Sequence, residues 1–343
     1  MNRIFSVAFI CFALCSCKEG TIPDISHLTS DVQIIRTEQD IMKIKDKSSF
    51  EKLCASYPAF YNVYFKEVLQ LQNDTNSDSL FHNFEVFISD SIVVELSTKV
   101  GKKYKDLARL KKELDQMYKY AQYYFPKQIF VPKLYTFISD FAYQMFTIQD
   151  DDGKDGIALG LDMFMSPEID YKIINPDNTN FSNYITRTWN QEHIVKKIVD
   201  LHVNDLLSEA PGSRLIDQMI HQGKAMYISK LLLPYVHDSI ITEYTGKQLS
   251  WSEENELQMW SFFFDQKLFY ESNPVKIGKY INPSPNSPDM PPSAPGRTAC
   301  YIGWQVVKAY MKRYPDTSLS ELLDMKDSQL IMDKSKYKPK QRK

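Results

Sequence analysis

The sequence has 343 residues, a formal net charge of −2, only 11 glycines, and 20 phenylalanines with 21 tyrosines. A near-neutral chain without a basic stripe argues against a nucleic-acid partner. Low glycine content and dense aromatic residues favour packed helices over many short strands, and the length is sufficient for one large domain or two ordinary ones.

The N-terminus combines a short positive start, Met1–Arg3, with an almost unbroken apolar run over Ile4–Cys15. These features are typical of a secretory signal, and the run is too short to span a membrane, which needs about 20 residues. Cys17 follows Leu-Cys-Ser, which resembles the lipobox of bacterial lipoproteins. We therefore predict a signal peptide over residues 1–16 and a diacylated Cys17 as the only membrane attachment. The alternative is an ordinary signal peptide with a chance cysteine.

The rest of the chain divides into three predicted parts. Residues 17–35 read as a lipidated tether, residues 36–330 as a single α-rich domain, and residues 331–343 as a basic, mobile tail. Pro58 lies inside the first predicted helix and either kinks it or divides it in two. Ser250 and Glu253 could form a capping box. Apolar residues at helical spacing predict helices over Phe50–Leu71, Leu80–Ile88, Tyr104–Tyr124, Thr188–Leu207, Arg214–Leu233, Ser252–Tyr270, Arg297–Tyr314 and Ser318–Met325.

A short stretch in the middle of the chain changes to strand-like periodicity. Residues 129–131 predict a short strand, and two apolar runs, 135–148 and 157–165, flank an Asp/Gly-rich loop at 149–156. Two such runs around such a loop indicate a β-hairpin. The loop does not match an EF-hand, because Gly153 and Asp162 stand where a carboxylate and a glutamate are required. A solvated turn is therefore favoured over a calcium site.

Three smaller features also carry expectations. Cys54 and Cys300 are the cysteines outside the export signal, and two free thiols are favoured over a disulfide between them. Six prolines within residues 282–296 exclude helix and central strand, so this segment is an ordered loop or a polyproline-like stretch on the body. Gly296-Arg297 and Gly303-Trp304 could line a pocket. Their simpler role is a tight turn into a helix, with Gly303 allowing a close contact between helices.

Histidine is the most informative residue type for catalysis here, because the chain has only six. Zinc peptidases with the motif H-E-x-x-H place two histidines one turn apart, with a glutamate as the base. Neither the five residues that end at His202 nor the five that start at His221 match this motif. A scattered site of His202, His221 and Asp217 remains open, although a simple carboxylate–imidazole hydrogen bond explains the Asp217–His221 spacing equally well. No serine or cysteine nucleophile motif, dinucleotide fingerprint or P-loop is present.

Seven stretches, in this order along the chain, carry a family resemblance. They are the lipobox ending at Cys17, then Gly156–Phe164, Asp217–Tyr227, Trp251–Trp260, Pro295–Arg297, Ile302–Met311 and Lys334–Pro339. Together they resemble the gliding motility lipoprotein GldB family of the Bacteroidetes, across nearly the whole chain.

The resemblance carries implications for fold and site. GldB is similar in turn to a group of zinc-dependent peptidases, which implies a zincin-like scaffold whose metal site has decayed. His202 then falls near the lost metal helix, and residues 217–227 match the later helix. The expected fold is α+β and predominantly α-helical, with a small antiparallel sheet or hairpin packed against helices, and we expect no metal and no cofactor.

These observations lead to one main functional hypothesis and two alternatives. The main hypothesis is a non-enzymatic envelope lipoprotein associated with gliding motility, which binds other envelope motility or secretion proteins. The alternatives are a lipid-anchored zinc peptidase with a non-standard site, and a lipoprotein that binds peptide or glycan in the old cleft. Because Lys18 and not an aspartate follows Cys17, we expect the outer membrane.

Overall fold

The computed structural model describes residues 22–71 and 77–339 of the protein. The predicted signal peptide and Cys17 lie outside the described residues, as do residues 18–21 and 340–343. Among the described residues, no helix has both the length and the apolar character that crossing a membrane requires.

A four-stranded sheet forms the centre of the first half of the fold. Its strands are β1 (Ile34–Arg36), β2 (Lys133–Phe137), β3 (Met145–Gln149) and β4 (Asp155–Gly160). Their order is β1-β2-β4-β3, with β1–β2 and β2–β4 parallel and β3–β4 antiparallel. The predicted hairpin is confirmed as β3–β4. The sheet is mixed and not wholly antiparallel, because β2 pairs in parallel with both β1 and β4.

The strand boundaries differ from those predicted. Residues 129–131 form no strand, and pairing begins after Pro132, where the N–H of Leu134 donates to the Gln33 carbonyl at 2.9 Å. The run 135–148 is two strands separated by a turn, in which Asp140 and Phe141 adopt positive φ of 53° and 64°. The second run is strand only as far as Gly160 and continues as a 3₁₀ turn.

Helices cover most of the remaining described chain. They are α1 (Thr37–Asp40), α2 (Lys47–Ser56), α3 (Pro58–Val63), α4 (Ser77–Ser89), α5 (Ser91–Lys103), α6 (Ala108–Tyr124), α7 (Tyr171–Ile174), α8 (Asn183–Thr186), α9 (Ile194–Leu207), α10 (Leu215–Leu232), α11 (Asp238–Thr242), α12 (Gly246–Glu254), α13 (Glu256–Asp265), α14 (Pro274–Ile281), α15 (Thr298–Arg313), α16 (Leu319–Asp324) and α17 (Ser328–Ser335). The predominantly α-helical α+β fold is therefore confirmed, whereas its zincin-like character stays a prediction.

Local sequence signals explain several helix boundaries. Pro58 divides the first predicted helix, because it begins α3 at a position where its missing N–H has no helical acceptor. The predicted helix over 252–270 is two helices, and the capping box expected at Ser250 is wrong. Thr245 and Gln248 form the box instead, at the start of α12. Helices α5, α14 and α17 lie outside the predicted helices, as do the short helices α1, α7, α8 and α11.

Both predicted flexible ends pack against the body over part of their length. Val32 is 1% exposed, and its N–H donates to Asp115 Oδ1 at 2.8 Å, so the end of the predicted tether already belongs to the fold. At the other end Ile331 is fully buried, and the Tyr337 hydroxyl donates to Glu256 Oε1 at 2.8 Å. Part of the predicted tail therefore packs against the body through Ile331 and Tyr337, and the mobility of the tail stays a prediction.

The two faces of the sheet pack against different helices. Leu134, Ile157 and Leu159 face a cluster that includes α6 and α9, whereas Tyr135 and Phe137 face a cluster built from α2, α3 and α4. A further cluster joins α10, α13 and α15.

The structure also shows the conformation of the proline segment and the state of the two cysteines. The proline segment is an ordered loop, because the fully buried Ser287 hydroxyl lies 2.8 Å from the Pro295 carbonyl oxygen and 2.7 Å from Thr298 Oγ1. Cys54 and Cys300 are free thiols, half-buried and buried respectively.

Candidate functional site

A cleft of about 940 Å³ lies between the β3–β4 hairpin, residues 128–132 and α9. We call it the hairpin cleft. Its lining is largely apolar and includes Phe130, Ile157, Leu201 and Leu206, and the Phe130 side chain is 66% exposed. Ligand pockets in proteins typically measure about 300–1,000 Å³ and combine apolar walls with a few polar groups. The hairpin cleft therefore has the size and composition of a binding site.

The residue spacing along the strands and along α9 determines which side chains line the cleft. Thr147 pairs with Ile157 across the hairpin, so both side chains lie on the same face of the sheet. On α9, cleft residues recur at Leu201, His202 and Asp205, and such spacing puts them on one side of the helix. The opposite side of α9 carries buried residues such as Leu207.

The outer edge of β3 borders the cleft. The N–H of Gly160 donates to the Gln144 carbonyl at 3.0 Å, and the N–H of Asp150 donates to the Lys154 carbonyl at 2.7 Å. In an antiparallel pair, inward and outward backbone groups alternate, so Thr147 directs its N–H and C=O away from β4. Within the described part of the chain β3 pairs with β4 alone. The Thr147 edge is thus open to another strand.

His202 supplies a polar group at the helical wall of the cleft. Its Nε2 lies 2.9 Å from the buried Tyr118 hydroxyl, and the two rings meet edge to face. Burial lowers the pKa of His202, and the carboxylates of Asp205 and Asp155 oppose this effect only in part. The imidazole is therefore neutral at neutral pH. The Tyr118 contact engages only one of its two ring nitrogens.

The other two residues of the scattered site have different surroundings. Asp217 is held by Arg214, with Nε–Oδ2 and NH2–Oδ1 distances of 2.9 Å each. Burial and the charges of Lys224 and Lys326 lower the pKa of His221. His202 lies in the hairpin cleft, and neither His221 nor Asp217 lines that cleft. Residues 22–71 and 77–339 contain no group of three or more His, Cys, Asp or Glu side chains placed to hold a metal ion.

The acidic hairpin loop uses its first carboxylate internally. Asp150 receives hydrogen bonds from Lys133 Nζ at 2.6 Å, from the Tyr135 hydroxyl at 2.8 Å and from the Asp151 N–H at 2.8 Å. These bonds fix the turn that joins β3 to β4. The loop forms a turn, as the sequence predicts, and Asp150 is buried beneath it.

The sequence does not single out two of the cleft residues, nor the tyrosine that contacts His202. Tyr118 lies 84 positions before His202, and nothing in its helical spacing distinguishes it from a core residue. Phe130 was assigned to a strand, although the following Val131-Pro132 pair indicates that regular pairing is interrupted there. Thr147 could be recognised only after the hairpin register was known.

Comparison with known proteins gives one match. The family model described as gliding motility protein GldB matches residues 18–339. The comparisons with curated proteins and with solved structures returned no match.

Proposed function

This chain belongs to the family of gliding motility protein GldB, and from that premise we propose that it is a lipid-anchored envelope lipoprotein that acts by binding a partner protein at the hairpin cleft. The open edge of β3 above an apolar cleft is the observation that carries this proposal. The partner belongs to the motility or secretion machinery of the envelope, and the anchor lies in the outer membrane.

The mode of binding follows from the edge and the cleft together. An extended peptide segment can add to an open strand edge through main-chain hydrogen bonds, while pockets receive alternate side chains. A segment paired with Thr147 would direct every second side chain toward Leu201 and Leu206 on α9. His202 would then supply a polar contact, and the exposed Phe130 ring would cover apolar side chains of the segment. An extended segment with alternating apolar residues fits these walls.

A proline at position 147 tests the binding mode. Thr147→Pro removes only an outward N–H, and prolines are accepted on edge strands at such positions. In cells that glide and lack their own copy of the gene, we expect this variant to reach wild-type levels in the membrane fraction but to restore little or no gliding. Colony spreading and immunoblots of membrane fractions measure both quantities.

The matched control is Thr147→Val, which keeps the N–H and the β-branched shape and should restore gliding fully. A photoreactive phenylalanine analogue in place of Phe130 should also cross-link to a partner, and should lose that product when Thr147→Pro is added. Full gliding with Thr147→Pro would exclude partner binding at this edge.

The lipid anchor has a separate test. Cys17→Ser removes the thiol that would be acylated, and a protein held only by its acyl chains loses its membrane affinity with them. We expect the variant to move from the membrane fraction to the soluble fraction, as seen by fractionation and by loss of palmitate labelling. Cys54→Ser should stay membrane-bound. A Cys17→Ser variant that remains in the membrane fraction would contradict the predicted anchor.

A further inference from the structure

Three cationic side chains surround a second, smaller cavity on a different side of α9. The cavity measures about 70 Å³ and is lined by Arg187, Lys197, Arg297 and Glu243, among others. Arg187 follows α8, Lys197 lies on α9, Glu243 ends α11, and Arg297 precedes α15. We call it the arginine pocket. It is far smaller than a typical pocket for a drug-sized ligand, which is about 300–1,000 Å³.

In the part of the chain that the structure describes, Glu243 supplies the carboxylate of this pocket, and it pairs with two of the three cations. Glu243 Oε1 lies 2.5 Å from Lys197 Nζ, and Oε2 lies 2.9 Å from Arg297 NH1. Among the described residues, the acceptors of Arg187 are neutral, namely the carbonyls of Tyr184 and Glu243 at 3.0 and 2.6 Å and the Gln248 amide oxygen at 3.2 Å. The four charged side chains therefore leave two positive charges in excess.

This excess is poorly screened by water. The side chains of Lys197 and Arg297 are only 22% and 21% exposed, and that of Glu243 is 15% exposed. The neighbouring Lys196 does not add to the excess, because it is paired with Asp200 through both carboxylate oxygens, at 2.6 and 2.7 Å. Charges removed from water are costly unless a counter-charge is close.

Close backbone contacts fix the positions of the residues that line the arginine pocket. The Tyr244 hydroxyl donates to the Gly296 carbonyl at 2.9 Å, which ties the end of α11 to the start of α15. A Cβ on Gly296 would lie 2.3 Å from the Ser284 carbonyl oxygen, so only glycine allows this approach. Helix α15 begins here without a side-chain cap, and its N-terminal dipole adds positive potential.

We propose that the arginine pocket binds a small oxyanion, a carboxylate or phosphate group, contacted by Arg187, Arg297 and Lys197. Guanidinium groups match the planar geometry of these anions and form charge-assisted hydrogen bonds with them. The anion supplies the counter-charge that Glu243 alone does not. This site is independent of the hairpin cleft and of the function proposed for it.

Thermal unfolding of the full-length protein in detergent tests the site, with inorganic phosphate and acetate titrated at constant ionic strength against chloride. We expect a saturable rise in Tm with at least one of the two oxyanions and none with chloride. Arg187→Gln should weaken the apparent affinity by about tenfold or more, since a hydrogen bond to a charged group contributes about 1.5–3 kcal/mol. Lys197→Gln is the second variant if Arg187→Gln does not fold.

Two further variants separate binding from a purely structural role. Glu243→Gln removes the competing carboxylate and should bind the oxyanion more tightly, even though the variant itself is less stable. Arg313→Gln removes an exposed arginine from the other end of α15 and should bind as the wild type does. A response to phosphate alone assigns a phosphate group, and a response to acetate assigns a carboxylate. Equal stabilisation by chloride, or unchanged affinity in Arg187→Gln and Lys197→Gln, would overturn the proposal.

Discussion

Gly303→Ala is expected to destabilise the protein by about 2 kcal/mol or more. Helices α10 and α15 cross with their backbones in contact, and a Cβ on Gly303 would lie 1.9 Å from the Met219 carbonyl oxygen and 2.7 Å from its carbon. Relief requires the helices to separate, at an overpacking cost of about 3 kcal/mol or more. The higher helix propensity of alanine returns only about 1 kcal/mol. Urea unfolding followed by tryptophan fluorescence measures the difference.

The same substitution elsewhere provides the control. Gly101 lies in α5, and a Cβ there would meet no atom within 4 Å, so Gly101→Ala should be neutral or slightly stabilising. Gly223 faces Gly303 across the crossing, with 2.4 Å between its added Cβ and the Gly303 carbonyl. Once one alanine has separated the helices the second costs less, so the double variant should fall short of additivity. An unchanged stability for Gly303→Ala would refute this account.

The helix crossing shows what the sequence could predict. A glycine within an otherwise helical pattern signals a close approach, and the predicted contact at Gly303 is confirmed. The pattern does not name the partner, because Gly223 lies 80 positions earlier and reads as an ordinary helical position. Local signals thus located the contact surface, whereas the partner required the tertiary structure.

Other features that depend only on neighbouring residues could also be predicted from the sequence. The hairpin followed from apolar runs around an Asp/Gly loop, and α6 ends at Tyr124, shortly before Pro126. Helix α5 was missed although its signals were present, since Asp90 caps it and Val93 and Leu96 are buried one turn apart. The parallel pairing of β1 with β2 joins Ile34 to Leu134, and no local pattern encodes a pairing across that distance.

The candidate sites were less predictable than the fold. The rarity of histidine in the chain points to His202, which lines the hairpin cleft. The edge of β3 and the arginine pocket depend on residues that are unremarkable in sequence, and their chemistry arises from juxtaposition. Arg187 and Arg297 lie 110 residues apart in the sequence, and both contact Glu243, the first at its backbone carbonyl and the second at its carboxylate. Neither belongs to a motif that marks an anion site.

Asp162 and His193 are expected to give opposite pH dependences of stability. Asp162 is fully buried beneath the turn 138–144, and its Oδ2 accepts the N–H groups of Ser139 and Phe141 at 3.0 and 2.8 Å. Burial raises the pKa of Asp162 to about 6, in spite of these bonds. Burial lowers the pKa of His193 to about 4, although Glu243 favours its charged form. In both groups the folded state therefore extends the pH range over which the neutral form prevails.

The signs follow from proton binding. Between about pH 4 and 6 the folded state holds a proton on Asp162 that the unfolded state has released, so this group makes the protein less stable as pH rises. Between about pH 4 and 6.5, His193 is protonated in the unfolded state and neutral in the folded state. This second group therefore makes the protein less stable as pH falls. Each effect amounts to about 3 kcal/mol over its full range.

Two single variants should separate these opposing slopes. Relative to wild type, Asp162→Asn should gain stability at pH 7 and lose that gain toward pH 4, because it lacks the carboxyl that is neutral only at low pH. His193→Gln should behave in the opposite way, with its relative stability rising as pH falls from 7 to 4. Free energies of unfolding in urea, measured from pH 4 to 7.5 and expressed as differences from wild type, isolate each group. Difference curves without any slope would contradict the shifted pKa values of both groups. Curves of opposite slope would show that these two buried side chains cause the opposing pH dependences of stability.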